Sequence, residues 1–343
     1  MRTKRAVASI ALVLLLSTAV AADPLHTASP ESVGLSTERL NRITEYLRAD
    51  VAKSTIPGAV LLISRRGKIA YFEAVGSSNP QAKTPMTKDG IFRIYSMSKP
   101  ITSVCIMMLV EQGRIALSDP VAKYIPQFKD VKVGEERRDA EGKVTLELVA
   151  PQRPMTIQDL MRHTSGLTYG FFGEGTVKKV YIEAKLNDGD PTTAEFTERL
   201  ARLPLVYQPG TTWDYSQSTD VLGRVIEVVT GQSLYHAFKD MLLDPLGMVD
   251  TSFFVTDKAK QDRLVEPFEN DRTIGVNATF FDPRVALKYE SGGGGLVGTV
   301  SDYARFLQML MNGGVFEGRR YLSPKTITYM SSDHMGDVIR RGP

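Results

Sequence analysis

Apolar residues recur at helical or alternating spacing along much of the chain. Leu40, Ile43, Leu47 and Val51 follow Ser36, a candidate N-cap, and predict an amphipathic helix that Ile56-Pro57-Gly58 ends. Residues 59–63 and 68–75 are rich in β-formers on either side of Arg65-Arg66-Gly67, which predicts a β-hairpin. In residues 98–112, Ile101, Val104, Cys105, Met108 and Leu109 mark one face, and Ile106, Met107 and Val110 widen it. That helix is therefore expected to be buried nearly all round, with Pro100 tolerated in its first turn and Gly113 as its stop. Cys105 lies within this apolar surface and reads as a core residue rather than a nucleophile.

Other stretches carry weaker patterns. Residues 129–153 are charged and weakly periodic, an expected exposed loop, with a short hairpin including 144–149 as the alternative. Residues 156–163 predict a short helix with Leu160 and Met161 inward, and the glycine-rich stretch 170–190 reads as a loop. Further helices are expected at 220–230, closed by Gly231, and at 234–243. Another is expected to be capped by Ser301, with Tyr303, Phe306, Leu307, Leu310 and Met311 along it. Residues 23–32, polar and carrying Pro24 and Pro30, read as a mobile leader. There is no internal repeat.

Composition narrows the class. The 343 residues are 42% hydrophobic and 24% charged, which excludes fibrous and disordered chains and leaves enough apolar side chains for a sizeable core. A single cysteine rules out an intramolecular disulfide and any cysteine-based zinc or iron–sulfur centre. Arg2, Lys4 and Arg5, with no acid before residue 22, account for the whole net charge of +3; 39 basic and 39 acidic residues remain. A neutral chain without a basic stripe argues against nucleic acid as a partner. The basic start, the apolar run 6–20 and Ala19-Val20-Ala21 read as a signal peptide over 1–21, with an uncleaved anchor as the alternative. The expected mature protein is a single domain over 22–343, periplasmic or secreted, with no membrane association after cleavage and an unknown oligomeric state.

Several chemistries are missing. The chain has no G-x-S-x-G elbow, no dinucleotide fingerprint, and no Lys-Ser/Thr after Gly292-Gly293-Gly294-Gly295. Its four histidines, His26, His163, His236 and His334, lack metal-ligand spacing, so no metal and no cofactor are expected.

Ser96-Met97-Ser98-Lys99 stands at the entrance to the buried helix. Residues i and i+3 share a helix face, so the Ser96 hydroxyl and the Lys99 amine can meet. A serine needs a neighbour to take its proton, and a neutral lysine can do so; burial beside the positive end of a helix favours that form. The same helix end aims backbone N–H groups at a developing oxyanion. The plain alternative is a helix cap with Lys99 in solvent. Downstream, Pro209-Gly210 marks a turn before Tyr215-Ser216-Gln217, where a phenol near an ammonium can relay protons; the plain alternative there is a turn with a half-buried tyrosine.

Taken in order, these segments resemble the penicillin-recognising serine hydrolases: class C β-lactamases, D,D-peptidases and related carboxylesterases. The similarity runs over about residues 32–332. It includes Phe92-Arg93-Ile94-Tyr95 before the Ser-x-x-Lys, Met155 to Leu167 with its His163-Thr164-Ser165-Gly166-Leu167, the Pro-Gly…Tyr-Ser stretch, and Gly293-Gly294-Gly295-Leu296 followed by Ser301-Asp302-Tyr303. The resemblance implies an α+β fold, an antiparallel sheet with flanking helices and a helical region. It makes Ser96 the nucleophile, Lys99 its activating partner and Tyr215 the general base or proton relay. Gln217 would touch substrate where the family usually has Asn, from a position shifted by one methylene. His163 is expected to hold a turn rather than act chemically.

The family's third motif, Lys-Thr-Gly, His-x-Gly or Trp-x-Gly on a strand, has no clear counterpart: Lys325-Thr326 precedes Ile327, and His334-Met335-Gly336 follows an expected helix end. The expectation is therefore a member lacking its C-terminal strands. The reading is a serine hydrolase acting on a small-molecule ester, amide or peptide, esterase-type rather than an efficient β-lactamase. The alternative is a non-catalytic remnant or cell-wall-peptide-binding protein of the same family.

Overall fold

In the computed structural model, which describes residues 25–142, 144–269, 271 and 281–340, Ser36 caps helix α1 (Thr37–Ala52) by accepting from the Arg39 N–H. The signal-peptide reading of residues 1–21 lies outside the described residues. Strands β1 (Gly58–Arg65) and β2 (Lys68–Asn79) form the expected antiparallel hairpin, with Leu62 opposite Phe72 and a register shift at Ile63/Ser64. A third strand, β3 (Thr84–Pro85), pairs with the end of β2, so the sheet exceeds the two strands read from the sequence. Residues 26–28 are not a mobile leader: Ile69 donates to His26 and accepts from Ala28 on the open side of β2. Helix α1 packs on β1 and β2, where Thr44 and Tyr71 share a buried 2.7 Å hydrogen bond, and helix Val300–Met311 packs on β1.

The larger half is helical. Helix α2 (Ser98–Glu111) buries nine of its 14 residues, Cys105 among them. Around it come α3 (Ile157–Met161), α4 (Thr176–Glu183), α5 (Thr193–Leu200) and α6 (Ser218–Thr230), and α6 packs against α2, α3 and α5. Leu234–Phe238 continues through a π turn, Lys239–Leu243, as one helical stretch. None of the described helices is long and apolar enough to cross a membrane.

For the charged segment the hairpin alternative holds in place of the loop, and two further elements differ from the sequence reading. The charged segment is a six-residue-paired hairpin, Val133–Arg138 with Val144–Val149, anchored where the buried Gly134 N–H donates to Leu205. The 170–190 stretch contains α4, whose Val177 and Tyr181 face the core; its first N–H, at Thr176, is capped by Glu136 from that hairpin. Helix Val300–Met311 is capped by Thr299, which accepts from Asp302, and not by Ser301. The result is a β-lactamase-like α+β arrangement of helices and antiparallel sheets.

Candidate active site

Ser96 sits at a sharp corner. Strand Phe92–Arg93, paired with Val297–Gly298, runs into Tyr95, whose φ of 43° lies in the left-handed region. That conformation strains a residue with a side chain by about 1–3 kcal/mol and turns the chain abruptly. A 3-10 turn, Tyr95–Met97, then feeds α2. Ser96 is left exposed, while Ser98 is buried and accepts from the Leu296 N–H at 3.1 Å.

The first turn of α2 brings the Lys99 amine to the serine. Lys99 Nζ lies 3.1 Å from Ser96 Oγ, 2.7 Å from the Gly293 carbonyl and 3.4 Å from the Tyr169 hydroxyl. The Tyr215 hydroxyl donates to Ser96 Oγ at 2.5 Å, and Lys99 Nζ lies 4.5 Å from the centre of the Tyr215 ring. Ser96, Lys99 and Tyr215 are therefore brought together, and Lys99 is half-buried rather than out in solvent.

Tyr215 is held through His163. The His163 backbone is left-handed (φ 55°); its carbonyl accepts from Asp214 N–H at 3.0 Å and its Nδ1 from Ser216 N–H at 3.2 Å. Burial pushes the His163 pKa down to about 3, so the ring stays neutral and its Nδ1 accepts. The same segment needs Gly166: at φ 85° a Cβ there would fall 2.2 Å from the Tyr207 carbonyl oxygen. Asp159 anchors the segment from below, accepting from Arg153 at 2.6 and 2.8 Å and from Thr156 N–H at 2.9 Å. Burial works to raise the Asp159 pKa, but these donors outweigh it and hold it below the ordinary carboxylate value.

In front of Ser96 opens a cavity of about 620 Å³ with walls that include Tyr169, Phe172, Phe254, Phe281 and Tyr289; Gln217, at the start of α6, also lines it. Among the described residues lining it, the charged side chains are Asp190 and Asp220, both acidic. His334 does not line it: its ring packs on Tyr329, 4.3 Å between centres, and its carbonyl accepts from Arg162. Lys325 and Thr326 lie in helix Pro324–Met330.

The sequence reading missed Tyr169, Asp220 and Tyr289. Asp220 is buried and accepts from Tyr289, Ser291 and Gly293 N–H, so it bears on the glycine run. A buried acid in the first turn of an apolar helix was a visible signal; its partners, far along the chain, were not.

Fold and cleft together define a β-lactamase-type hydrolase. The chain belongs to the beta-lactamase family, whose sequence profile, described as Beta-lactamase, matches residues 43–337. An uncharacterized protein of Mycobacterium tuberculosis is 34% identical over 289 residues, spanning 83% of this chain and 70% of that protein. Esterase EstB of Burkholderia gladioli is 33% identical over 276 residues, 74% of this chain and 65% of EstB. Among solved structures, "EstCE1, a hydrolase with promiscuous acyltransferase activity" superposes with a TM-score of 0.70 at 27% identity, covering 87% of this chain and 79% of EstCE1.

Proposed function

We propose that the protein is a serine hydrolase that cleaves uncharged esters with an apolar acyl group through an acyl-enzyme at Ser96. The observation that carries this is the convergence on one exposed oxygen: Tyr215 at 2.5 Å and Lys99 at 3.1 Å from Ser96 Oγ, at the mouth of an aromatic cavity. The esterase and hydrolase names among the relatives support the same reading.

In this reading, Ser96 Oγ bonds to the ester carbonyl carbon while its proton passes to neutral Lys99 Nζ. The resulting oxyanion faces the Ser96 backbone N–H. Collapse breaks the bond to the alcohol oxygen, which takes the Tyr215 hydroxyl proton, and the proton on Lys99 restores Tyr215. Water then attacks the acyl-enzyme by the same path in reverse, returning a proton to Ser96 Oγ. A positioned proton-transfer group of this kind contributes about a hundred- to ten-thousand-fold, and one oxyanion donor about a hundred- to a thousand-fold.

The cavity supports an ester over a β-lactam or peptide. Those substrates carry a carboxylate that a nearby cation would hold, whereas the charged side chains among the described lining residues are Asp190 and Asp220. Aromatic walls favour an apolar acyl group instead. On the leader-like residues 1–21, we place the activity in the periplasm or outside the cell.

The test is labelling with a fluorophosphonate probe, with turnover of a p-nitrophenyl ester alongside that of a chromogenic β-lactam. The expected result is stoichiometric labelling lost in Ser96→Ala, with ester turnover well above β-lactam turnover. Labelling that survives Ser96→Ala rules out the assigned nucleophile.

A further inference from the structure

Residues 170–175, between Tyr169 and helix α4, form neither helix nor strand, yet they carry two rings of the cavity wall, Phe171 and Phe172. The rings meet at 4.5 Å between centres; Phe171 lies 5.1 Å from Tyr169, and Phe172 lies 6.0 Å from Tyr215. Phe171 is half in solvent, at 48% exposure. Burial draws apolar rings together without fixing where they sit, because the hydrophobic effect has no direction. Their place at the cavity edge therefore depends on what holds the backbone beneath them.

Lys178 supplies that hold. It stands in the first turn of α4, and its ammonium reaches back to donate to the Phe172 carbonyl. The side chain is 12% exposed, so its charge lies largely out of water and calls for an acid. Asp214 is that acid: it is 1% exposed, with Oδ2 3.8 Å from Lys178 Nζ. At that separation charge rather than a hydrogen bond holds the pair, which leaves the ammonium hydrogens to the Phe172 carbonyl. Asp214 immediately precedes Tyr215, and its N–H is fixed on the His163 carbonyl at 3.0 Å. One ammonium therefore ties the loop that bears the rings to the segment that carries Tyr215.

We propose that Lys178 is a positioning residue for substrate selection: by holding the Phe172 carbonyl against the Asp214–Tyr215 segment, it keeps Phe171 and Phe172 as a fixed clamp on the acyl chain. The inference rests on the ester-hydrolase reading of Ser96 and deepens it, naming the substrate as an ester with an extended apolar acyl chain. Each methylene that the clamp takes out of water is worth about fourfold in binding. A chain of several carbons therefore gains more than an acetyl group.

The test measures kcat and KM on p-nitrophenyl acetate and p-nitrophenyl hexanoate, which share a leaving group and differ in acyl length. Lys178→Met keeps an unbranched stem but cannot donate, and combining it with Asp214→Asn also removes the unpaired buried carboxylate. The parent is expected to prefer hexanoate in kcat/KM. In both variants the hexanoate-to-acetate ratio should fall about tenfold, the worth of about one to two methylenes, mainly through KM on hexanoate. The ratio compares two esters on one enzyme, so any loss of folded protein or of Tyr215 alignment cancels. A merely structural Lys178 would lower both substrates alike. Phe172→Ala should lower the ratio to a similar extent, and adding it to Lys178→Met should lower it no further.

A ratio within about threefold of the parent in the Lys178 variants overturns the proposal, as does a parent that turns over acetate as well as hexanoate. A Lys178→Met, Phe172→Ala protein whose ratio falls to the product of the singles overturns it too. Should Lys178→Met fail to fold around its unpaired acid, the variant with Asp214→Asn decides on the same ratio. Probe labelling separates this from failure of the functional reading. Label lost in Ser96→Ala, with acetate turned over by the parent, upholds the hydrolase, and an unchanged ratio then overturns the clamp alone.

Discussion

The helical half and the sheet of this protein are built to different standards of burial. Ile101, Ile106, Leu109, Phe196, Leu200 and Val225, from α2, α5 and α6, are all at or below 1% exposure. No residue of β1 is fully buried, and β2 fully buries only Ala70, Tyr71, Val75 and Ser78. The groups that meet at Ser96 Oγ, Lys99 and Tyr215, come from the helical half, and the Gly293 carbonyl that holds Lys99 comes from the 291–295 strap packed against it. The contrast teaches that the tightly packed half sets the geometry of the chemistry, while the sheet adds stability from a distance.

The strongest challenge to that contrast is Phe196→Ala. Phe196 stacks on Tyr289 with 4.1 Å between ring centres, and Tyr289 donates to Asp220. The variant is expected to lose about 3–5 kcal/mol in urea denaturation, with ester turnover falling as well. Full activity in a folded Phe196→Ala protein would break the link between core and site.

A pH series sharpens the same contrast. The folded-state pKa of His163, about 3, lies below its ordinary 6.5, so the unfolded chain takes up the proton first. Its contribution to stability is complete above pH 6.5 and is lost as pH falls from there toward 3, by at most about 1.4 kcal/mol per pH unit. Asp159, held low by Arg153 and Thr156, adds loss in the same direction at more acid pH. Melting temperatures between pH 7 and 5 should fall in the parent and fall less steeply in His163→Asn.

The smallest effect belongs to the sheet. Thr44→Val removes the buried bond to the Tyr71 hydroxyl and should cost about 1 kcal/mol, read by the shift of the urea midpoint, with kcat unchanged. A loss of kcat there would mean that the sheet reaches the site after all.

What the sequence disclosed follows the range of the interactions. Helices α1, α2 and α6 and the β1–β2 hairpin write their periodicity locally, and all four are present. Ser96 and Lys99 meet because one helical turn joins them. Helix α4 escaped notice because its first N–H is capped by Glu136 from another hairpin, a contact with no local trace. Helix α5 is legible, since Thr192 and Glu195 form a reciprocal cap ahead of the buried Phe196 and Leu200, a local pattern of the same kind. The glycines at 292–295 read from the sequence as lacking a phosphate-loop lysine and as one segment of the family resemblance. Their reason is non-local: a Cβ at Gly292 would fall 2.9 Å from the Thr219 carbonyl oxygen, and one at Gly295 2.9 Å from the Phe253 ring.

That strap has a practical consequence for anyone reshaping the substrate range. One side of the chamber is bare main chain pressed against its support, so it offers no side chain to trim, and any added bulk would displace the acid behind it. Selectivity for longer or broader acyl chains is better sought across the opening, at Phe171 and Leu287, which line the chamber yet stay exposed. A library confined to those two positions would vary the entrance without replacing any side chain that meets Ser96 Oγ.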